Sequence, residues 1–139
     1  LTGHSMGGHG ALTIGLKHAE VFRSLSAFAP ICTTLHSPWG QKSLGHYLGA
    51  DTSPWREYDA SEVARDVGDA SAFGKILVDQ GLADNFLDEQ LQPERLEAAC
   101  AESGLQLELR RHEGYDHGYY FIATFIGDHL NHHAANLRA

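Results

Sequence analysis

Cysteine, proline and methionine are scarce in this chain of 139 residues, which contains two, four and one of them respectively. Cys32 and Cys100 are too few to form the disulfide framework of a small secreted fold. We therefore expect two reduced and partly buried thiols, with a single disulfide as the alternative. Long apolar runs are also lacking, since none approaches the roughly 20 residues that a membrane-spanning helix needs. This pattern argues against a transmembrane protein.

Positive charge is in short supply as well, with 10 lysines and arginines against 18 aspartates and glutamates and a net charge of −8. Such a balance disfavours nucleic acid and anionic membranes as partners, because both attract basic proteins. The chain is 42% apolar and 20% charged, which separates it from disordered proteins and predicts a globular domain. Internal repeats, low-complexity tracts and phosphate-binding loops are not found.

Short apolar segments alternate with amphipathic segments along the chain. Strands are predicted at 25–29, 75–79 and 105–110, and helices at 6–18, 59–67, 93–103 and 119–136. Residues 31–58 lack a clear periodicity, and a connection of this length is either functional or contains short helices of its own. Strands that alternate with helices predict an α/β fold, in which a parallel sheet is covered by helices on both faces.

The pattern G-x-S-x-G occurs close to the first residue, as Gly3-His4-Ser5-Met6-Gly7. It is typical of a nucleophilic serine held at a sharp turn from a strand into a helix. Gly7, Gly8 and Gly10 are poor helix formers, and we expect them where the helix approaches the preceding strand closely. Only two residues precede the motif. We therefore expect residues 1–139 to be the carboxy-terminal part of a single α/β-hydrolase domain, with the amino-terminal strands missing.

A serine hydroxyl becomes a nucleophile when a base accepts its proton and a third group orients that base. In α/β-hydrolases the three groups follow in the order serine, acid, histidine, each after a strand. Ser5, Asp84 and His117 have this order. Asp84 follows the predicted strand 75–79, and His117 follows the predicted strand 105–110.

Rival residues exist for two of these roles. Asp79 and Asp88 also lie near the end of the second strand, but we expect Asp79 to end that strand and Asp88 to lie on a helix. His112 follows the last strand too closely to reach across the top of the sheet, so His117 is the preferred base. Asp84 is the preferred acid.

An oxyanion hole needs two hydrogen-bond donors, and one of them is expected to be the backbone N–H of Met6, directly after the nucleophile. The second donor comes from a loop that would precede Leu1. Loss of one such donor typically lowers the rate by about 10²–10³. We therefore expect the chain by itself to be inactive.

Histidines are frequent near the end of the chain, where His129 and His133 lie four residues apart beside His132. This spacing can hold zinc, but no acidic residue completes an H-E-x-x-H pattern. We expect a solvated helix end without a metal, since imidazole is favoured there by the helix dipole. The inward face of this helix is predicted to consist of apolar residues, namely Ile122, Phe125, Ile126 and Leu130.

Several longer segments resemble the S-formylglutathione hydrolase family, also called the esterase D family. They are GHSMGGHGALTIGLKH, FRSLSAFAPIC, SPWGQK, YLGAD, ILVDQGLADNFL and EGYDHGYYFIATFIGDHLNHHA. The resemblance implies a cytoplasmic serine hydrolase that cleaves the thioester S-formylglutathione to formate and glutathione in formaldehyde detoxification. It also implies that no cofactor or metal is needed, and that the full-length protein is a homodimer.

By position, the family's nucleophile, acid and base correspond to Ser5, Asp84 and His117, and its oxyanion donor to Met6. Trp39, in SPWGQK, corresponds to a region near the family's acyl pocket, although a packing role explains it equally well. His4 is a second candidate for the substrate pocket, whereas His9 is expected to be structural. The segment 33–36 departs from the family pattern, which leaves the details of that loop open.

Three other functions compete with this one. A short-chain carboxylesterase and an acyltransferase of the antigen 85 type share the fold and the triad, and substrate preference would distinguish them. A truncated product without enzymatic activity is the third, because much of the expected sheet lies outside this sequence.

Overall fold

The computed structural model describes residues 1–137, so the last two residues of the expected domain lie outside the described part. Its centre is a parallel sheet of four strands in the order β1-β2-β3-β4. The strands are β1 (Thr2–His4), β2 (Ser26–Phe28), β3 (Ile76–Gly81) and β4 (Leu107–His112). The predicted α/β fold with a parallel sheet is thereby confirmed.

Five α-helices accompany the sheet within the described residues. They are α1 (Met6–Lys17), α2 (Pro38–Leu48), α3 (Ala60–Arg65), α4 (Pro93–Ser103) and α5 (Tyr119–Leu137). Short 3₁₀ turns lie at Trp55–Tyr58 and Ala70–Ala72, and a π-helical turn lies at Leu87–Leu91. The stretch 31–58 therefore contains a helix of its own, α2, which begins where Ser37 accepts a hydrogen bond from the Gly40 N–H.

The larger hydrophobic core fills the space between one face of the sheet and helices α1, α3 and α4. Side chains of alternate strand residues reach this face, among them Ala27, Ile76 and Val78. Helix α4 ends as predicted at Gly104, which has φ 83° and donates its N–H to the Cys100 carbonyl at 2.9 Å. Cys32 and Cys100 are free and buried in this core, as expected.

The opposite face of the sheet is covered by α5. Phe28 and Phe121 pack edge to face there, at 5.8 Å between ring centroids. The predicted inward face is wrong at two positions, because Ile126 and Leu130 are exposed, by 36% and 62%. Histidines of α5 face the sheet instead, and polar partners make hydrogen bonds to their ring nitrogens.

The solvated helix end predicted for these histidines is also wrong. His129 is fully buried, and its ring nitrogens make hydrogen bonds to Ser26 Oγ at 2.8 Å and to Asp79 Oδ2 at 2.9 Å. His133 makes hydrogen bonds to the hydroxyls of Ser24 and Ser26. Burial lowers the pKa of His133 to about 4.

The last two strands end later than predicted. β3 continues past Asp79 to Gly81, so Asp79 is a strand residue rather than the strand end, and its carboxylate is fully buried on the α5 face. β4 includes His112 as its last residue. None of the helices within residues 1–137 has the length and apolar character needed to cross a membrane.

Candidate active site

Ser5 lies between β1 and α1 in a backbone conformation that is rare for a non-glycine residue, with φ 57° and ψ −116°. Hydrogen bonds hold this turn in place: the Ser5 N–H donates to the Phe28 carbonyl at 2.9 Å, and the Ile31 N–H donates to the Ser5 carbonyl at 3.2 Å. Strained backbone of this kind is maintained only where its surroundings determine it fully, and it is common at active sites. The geometry is that of a nucleophile elbow.

Two glycines allow this turn to be so tight. A Cβ on Gly3 would overlap the Gly7 carbonyl, and a Cβ on Gly8 would lie 3.0 Å from Pro30 Cβ. A Cβ on Gly8 would also lie 3.2 Å from the Gly3 carbonyl oxygen of β1, so the close approach to the preceding strand is confirmed at Gly8. At Gly7 and Gly10 the prediction is wrong, because a Cβ at either position would meet open space.

Met6 is the first residue of α1, so its backbone N–H has no acceptor within the helix. It lies directly after Ser5, at the positive end of the helix dipole. An N–H in this place can donate to an oxyanion that forms on a substrate bound to Ser5.

The loops that follow β3 and β4 are joined by backbone hydrogen bonds. The Leu82 N–H donates to the His112 carbonyl at 2.9 Å, and the Ala83 N–H donates to the Tyr115 carbonyl at 3.0 Å. A Cβ on Gly81 would overlap the Tyr115 carbonyl, so glycine is needed for this approach. The two joined loops bring Asp84 and His117 together.

Asp84 is almost fully buried, with 5% exposure, and its carboxylate accepts three hydrogen bonds. His117 Nδ1 donates to Oδ2 at 2.6 Å, Gln80 Nε2 donates to Oδ2 at 3.2 Å, and the Phe86 N–H donates to Oδ1 at 2.9 Å. Burial alone would raise the pKa of Asp84, but these hydrogen bonds outweigh it and the pKa is lowered. Asp84 is thus an ionised acceptor that fixes the proton of His117 on Nδ1 and leaves Nε2 free.

His117 adjoins the elbow through the residue that precedes the nucleophile. The rings of His4 and His117 lie 4.5 Å apart between centroids. Within residues 1–137 the Ser5 hydroxyl makes no hydrogen bond to His117, and such contacts in unliganded enzymes often tighten only when substrate binds. The His4 Nε2 atom is buried and has no partner in the described part of the chain, and burial together with the nearby charge of His117 lowers the pKa of His4.

The rival residues form a separate cluster. Asp79 accepts hydrogen bonds from His112, from His129 and, at two points, from Arg110; we call these four residues the Asp79 cluster. The structure therefore pairs Asp84 with His117 and Asp79 with His112. Asp88 is exposed in the π-helical turn.

A cleft of about 700 Å³ opens beside Ser5 and Met6. Its walls come mainly from α2 and are largely apolar, with Trp39, Leu44 and Tyr58 among the lining residues. Trp39 also packs against Phe86 at 4.7 Å between ring centroids. His9 lines the cleft and bonds to the Tyr58 carbonyl at 2.8 Å, whereas His4 lies against His117 instead.

Two features of the site do not follow from the sequence pattern. Gln80 lies just beyond the predicted strand 75–79, but it is the fifth residue of β3 and contacts Asp84. Phe86 lies in none of the predicted elements, yet its ring lies 5.1 Å from that of His117. If the predicted strand 75–79 had ended at Gly81, as β3 does, it would have included Gln80. As for metals, within residues 1–137 no group of three or more histidine, cysteine, aspartate or glutamate side chains is arranged so that it could hold a metal ion.

Comparisons with known proteins identify the family of this chain. A family model described as "Putative esterase" matches residues 1–132. The chain belongs to this esterase family. The family match covers the elbow, the cleft and both joined loops, so all residues of the candidate site lie within the matched part.

Individual relatives in this family carry a more specific name. The chain is 50% identical over 99% of its length to an S-formylglutathione hydrolase of Arabidopsis thaliana, and 51% identical over 99% to one of Rattus norvegicus. The solved structure of an S-formylglutathione hydrolase from Agrobacterium tumefaciens superposes with a TM-score of 0.91 at 49% identity, over 98% of the chain. The chain spans 48% of the length of each of these relatives.

Proposed function

We propose that this esterase-family chain provides the nucleophile, acid and base of a serine hydrolase that cleaves S-formylglutathione to formate and glutathione. The observation that carries the proposal is the Asp84–His117 contact of 2.6 Å beside a strained Ser5. Identity of about 50% to S-formylglutathione hydrolases supports the choice of substrate. Because the chain spans about half of these relatives, the proposal concerns the activity of the gene product that carries this sequence.

In the proposed mechanism, His117 Nε2 accepts the Ser5 proton as Ser5 Oγ forms a bond to the formyl carbon. Asp84 holds the imidazole and stabilises the positive charge that it acquires. The carbonyl oxygen becomes an oxyanion, to which the Met6 N–H donates. When the carbon–sulfur bond breaks, glutathione leaves as a thiolate, which takes up the proton held by His117. Water then attacks the formyl-serine while the neutral His117 accepts its proton. His117 returns this proton to Ser5 Oγ as the bond between Oγ and the formyl carbon breaks, so that formic acid, which ionises to formate, and free Ser5 result.

The cleft offers features suited to such a substrate. Lys42 lines the cleft and has no ion pair within the described residues, although the chain carries a net charge of −8. A free cation at this place can pair with a carboxylate of glutathione. Trp39 is proposed to limit the space for the acyl group, and a formyl group is small enough not to need more space.

We also propose a cytoplasmic location and a homodimer for the gene product. Two free, buried thiols are compatible with a reducing compartment. Burial raises the pKa of Cys100 to about 11, so its thiol stays protonated and unreactive at neutral pH. Sedimentation velocity would test the homodimer, which a monomer at micromolar concentration would contradict.

The first experiment is covalent labelling by an activated phosphonate, read by intact mass, on this chain, on the gene product and on Ser5→Ala variants of both. An adduct on the gene product that Ser5→Ala abolishes is expected, together with turnover of S-formylglutathione. An adduct on the chain itself would show that the triad assembles within 139 residues. Labelling that survives Ser5→Ala would contradict the assignment of the nucleophile. Efficient turnover of longer acyl esters without turnover of S-formylglutathione would favour the carboxylesterase instead.

A further inference from the structure

We propose that Gln80 is a positioning residue, whose side-chain amide holds the Asp84 carboxylate in the orientation that His117 requires. This inference rests on the proposed function, because it assigns Asp84 and His117 to the reaction. It concerns a residue outside the three proposed to carry the chemistry.

The contact is fully buried and its direction is fixed by chemistry. Gln80 has 0% exposure, and its Nε2 donates to the Gly81 carbonyl at 3.0 Å and to Asp84 Oδ2 at 3.2 Å. Both partners are acceptors only, so the amide nitrogen must face them. Its Oε1 is buried and has no partner within the described residues. An unsatisfied buried oxygen is unfavourable, and here it accompanies an orientation that the two acceptors impose.

Gln80 and Asp84 differ in how firmly the backbone holds them. Gln80 belongs to β3, in register with Arg111 of β4, whereas Asp84 lies in the loop beyond the strand, between exposed neighbours Ala83 and Asn85. Sites are held more accurately by strands than by loops. A donor from the strand therefore gives the carboxylate a second anchor, on Oδ2, beside the Phe86 N–H of the loop on Oδ1.

Each oxygen of Asp84 has its own backbone-anchored donor. The Phe86 N–H occupies Oδ1, and Gln80 shares Oδ2 with His117 Nδ1. Removal of the Gln80 donor leaves His117 as the only donor to Oδ2 within residues 1–137. The carboxylate is then anchored to the backbone through Oδ1 alone, and it can turn about this contact and carry the imidazole away from Ser5.

The test is a double-mutant cycle in the gene product, with Gln80→Met and Asp84→Asn alone and together. Methionine keeps the length of the side chain and removes the donor. We expect Gln80→Met to lower kcat about 10-fold with KM unchanged, since a hydrogen bond to a charged group is lost. In the Asp84→Asn background the same change should alter kcat less than about 2-fold, because Gln80 acts through Asp84. Equal losses in both backgrounds would overturn the proposal, as would an unchanged kcat in the single variant.

Gln80→Glu provides an independent test that keeps the size of the side chain. Two adjacent carboxyls share a proton, so the pair stays singly protonated to a higher pH than a lone carboxyl. In this variant the protonated carboxyl at position 80 donates to Asp84 in place of the amide, and the contact is lost when the proton leaves. The ratio of variant to wild-type kcat should therefore fall as pH rises. A ratio independent of pH would contradict a role at Asp84 and indicate packing only.

The substrate separates this inference from the proposed function. All rates are measured both with S-formylglutathione and with 4-nitrophenyl acetate, a neutral ester that uses the same triad. Failure of the wild type to hydrolyse S-formylglutathione would contradict the proposed substrate, while the cycle on the ester would still test Gln80. The downfield proton resonance of His117 Nδ1–H offers a readout without turnover. It should shift in Gln80→Met, and an unchanged resonance would count against the proposal.

Discussion

Two aspartates that bond histidines lie within a few residues of each other in this molecule, and they differ in what surrounds them. The Asp79 carboxylate is bonded by Arg110 at two points, both at 2.6 Å, and by His112 and His129 at 2.9 Å. The Asp84 carboxylate is bonded by His117, by an amide and by a backbone N–H, and it has no arginine or lysine partner within the described residues.

This difference decides what each carboxylate can do. Arg110 already neutralises Asp79 permanently, so a charge on a neighbouring histidine gains little from it. Asp84 has no fixed counter-charge, and it can stabilise His117 most when that ring becomes positive. A carboxylate without a permanent cation is thus the better support for a base that is charged only during turnover.

The histidines bonded to the two aspartates also differ, in how many of their ring nitrogens are bonded. Both nitrogens of His129 are bonded, and its side chain is 1% exposed. The Nδ1 atom of His117 is bonded to Asp84, its side chain is 19% exposed, and Nε2 remains free. Only a ring with a free nitrogen can accept a proton from a nucleophile, so an aspartate–histidine contact by itself does not identify a catalytic pair.

The largest expected effect is on turnover. Asp84→Asn in the gene product should lower kcat by about 10⁴, because the amide favours the wrong tautomer of His117. Asp79→Asn is the matched control, and the fraction of this variant that folds should keep kcat close to that of the wild type. Rates with S-formylglutathione and 4-nitrophenyl acetate provide the measurement. The reverse result, in which Asp79→Asn loses turnover and Asp84→Asn keeps it, would exchange the roles of the two aspartates.

The second expected effect is on stability, and it concerns Asp79 rather than Asp84. Asp79→Asn should lower the free energy of unfolding by about 3 kcal/mol, because it leaves the Arg110 charge unpaired and replaces one of the two buried acceptor oxygens by an amide NH₂ donor. Asp128→Asn removes only the exposed contact with Arg110 and should cost less than about 1 kcal/mol. Urea denaturation followed by circular dichroism measures both. A loss for Asp79→Asn no larger than that for Asp128→Asn would show that the Asp79 cluster is not a structural centre.

The fold and the Asp84–His117 contact were predictable for the same reason. Periodicity separates buried strands from amphipathic helices, and the carboxyl ends of parallel strands bring their following loops to one edge of the sheet. The order of Ser5, Asp84 and His117 along the chain therefore implied their proximity. The roles of these residues in a reaction remain predictions.

The errors on α5 have one common origin, which is that buried polar groups resemble surface residues in a sequence. His129 occupies an inward position of α5, so an apolar pattern shifted the predicted face to Leu130 and placed the histidines in solvent. Its partners, Ser26 and Asp79, come from strands that lie 103 and 50 residues away along the chain. These hydrogen bonds depend on tertiary contacts, so a local sequence pattern cannot predict them.

The smallest expected effect is a pH dependence of the free energy of unfolding. His133 and the Asp79 carboxylate, both on the α5 face of the sheet, should contribute to it in different pH ranges. The pKa of His133 is lowered to about 4 by burial, against an ordinary value near 6.5. The neutral ring is thus favoured in the folded state. Its contribution to stability should be complete above about pH 6.5 and should be lost as the pH falls from there towards 4.

The Asp79 carboxylate should respond at lower pH than His133. Its pKa lies well below the usual range, because hydrogen bonds from His129, Arg110 and His112 outweigh the effect of burial. Its contribution is complete above about pH 4 and is lost only below it. Urea midpoints between about pH 8 and 3 should therefore decline in two stages. His133→Gln should reduce the first stage, to which His4, His9 and His132 also contribute because burial lowers their pKa, and Asp79→Asn should flatten the second. A first stage of unchanged size in His133→Gln would show that His133 contributes nothing to it.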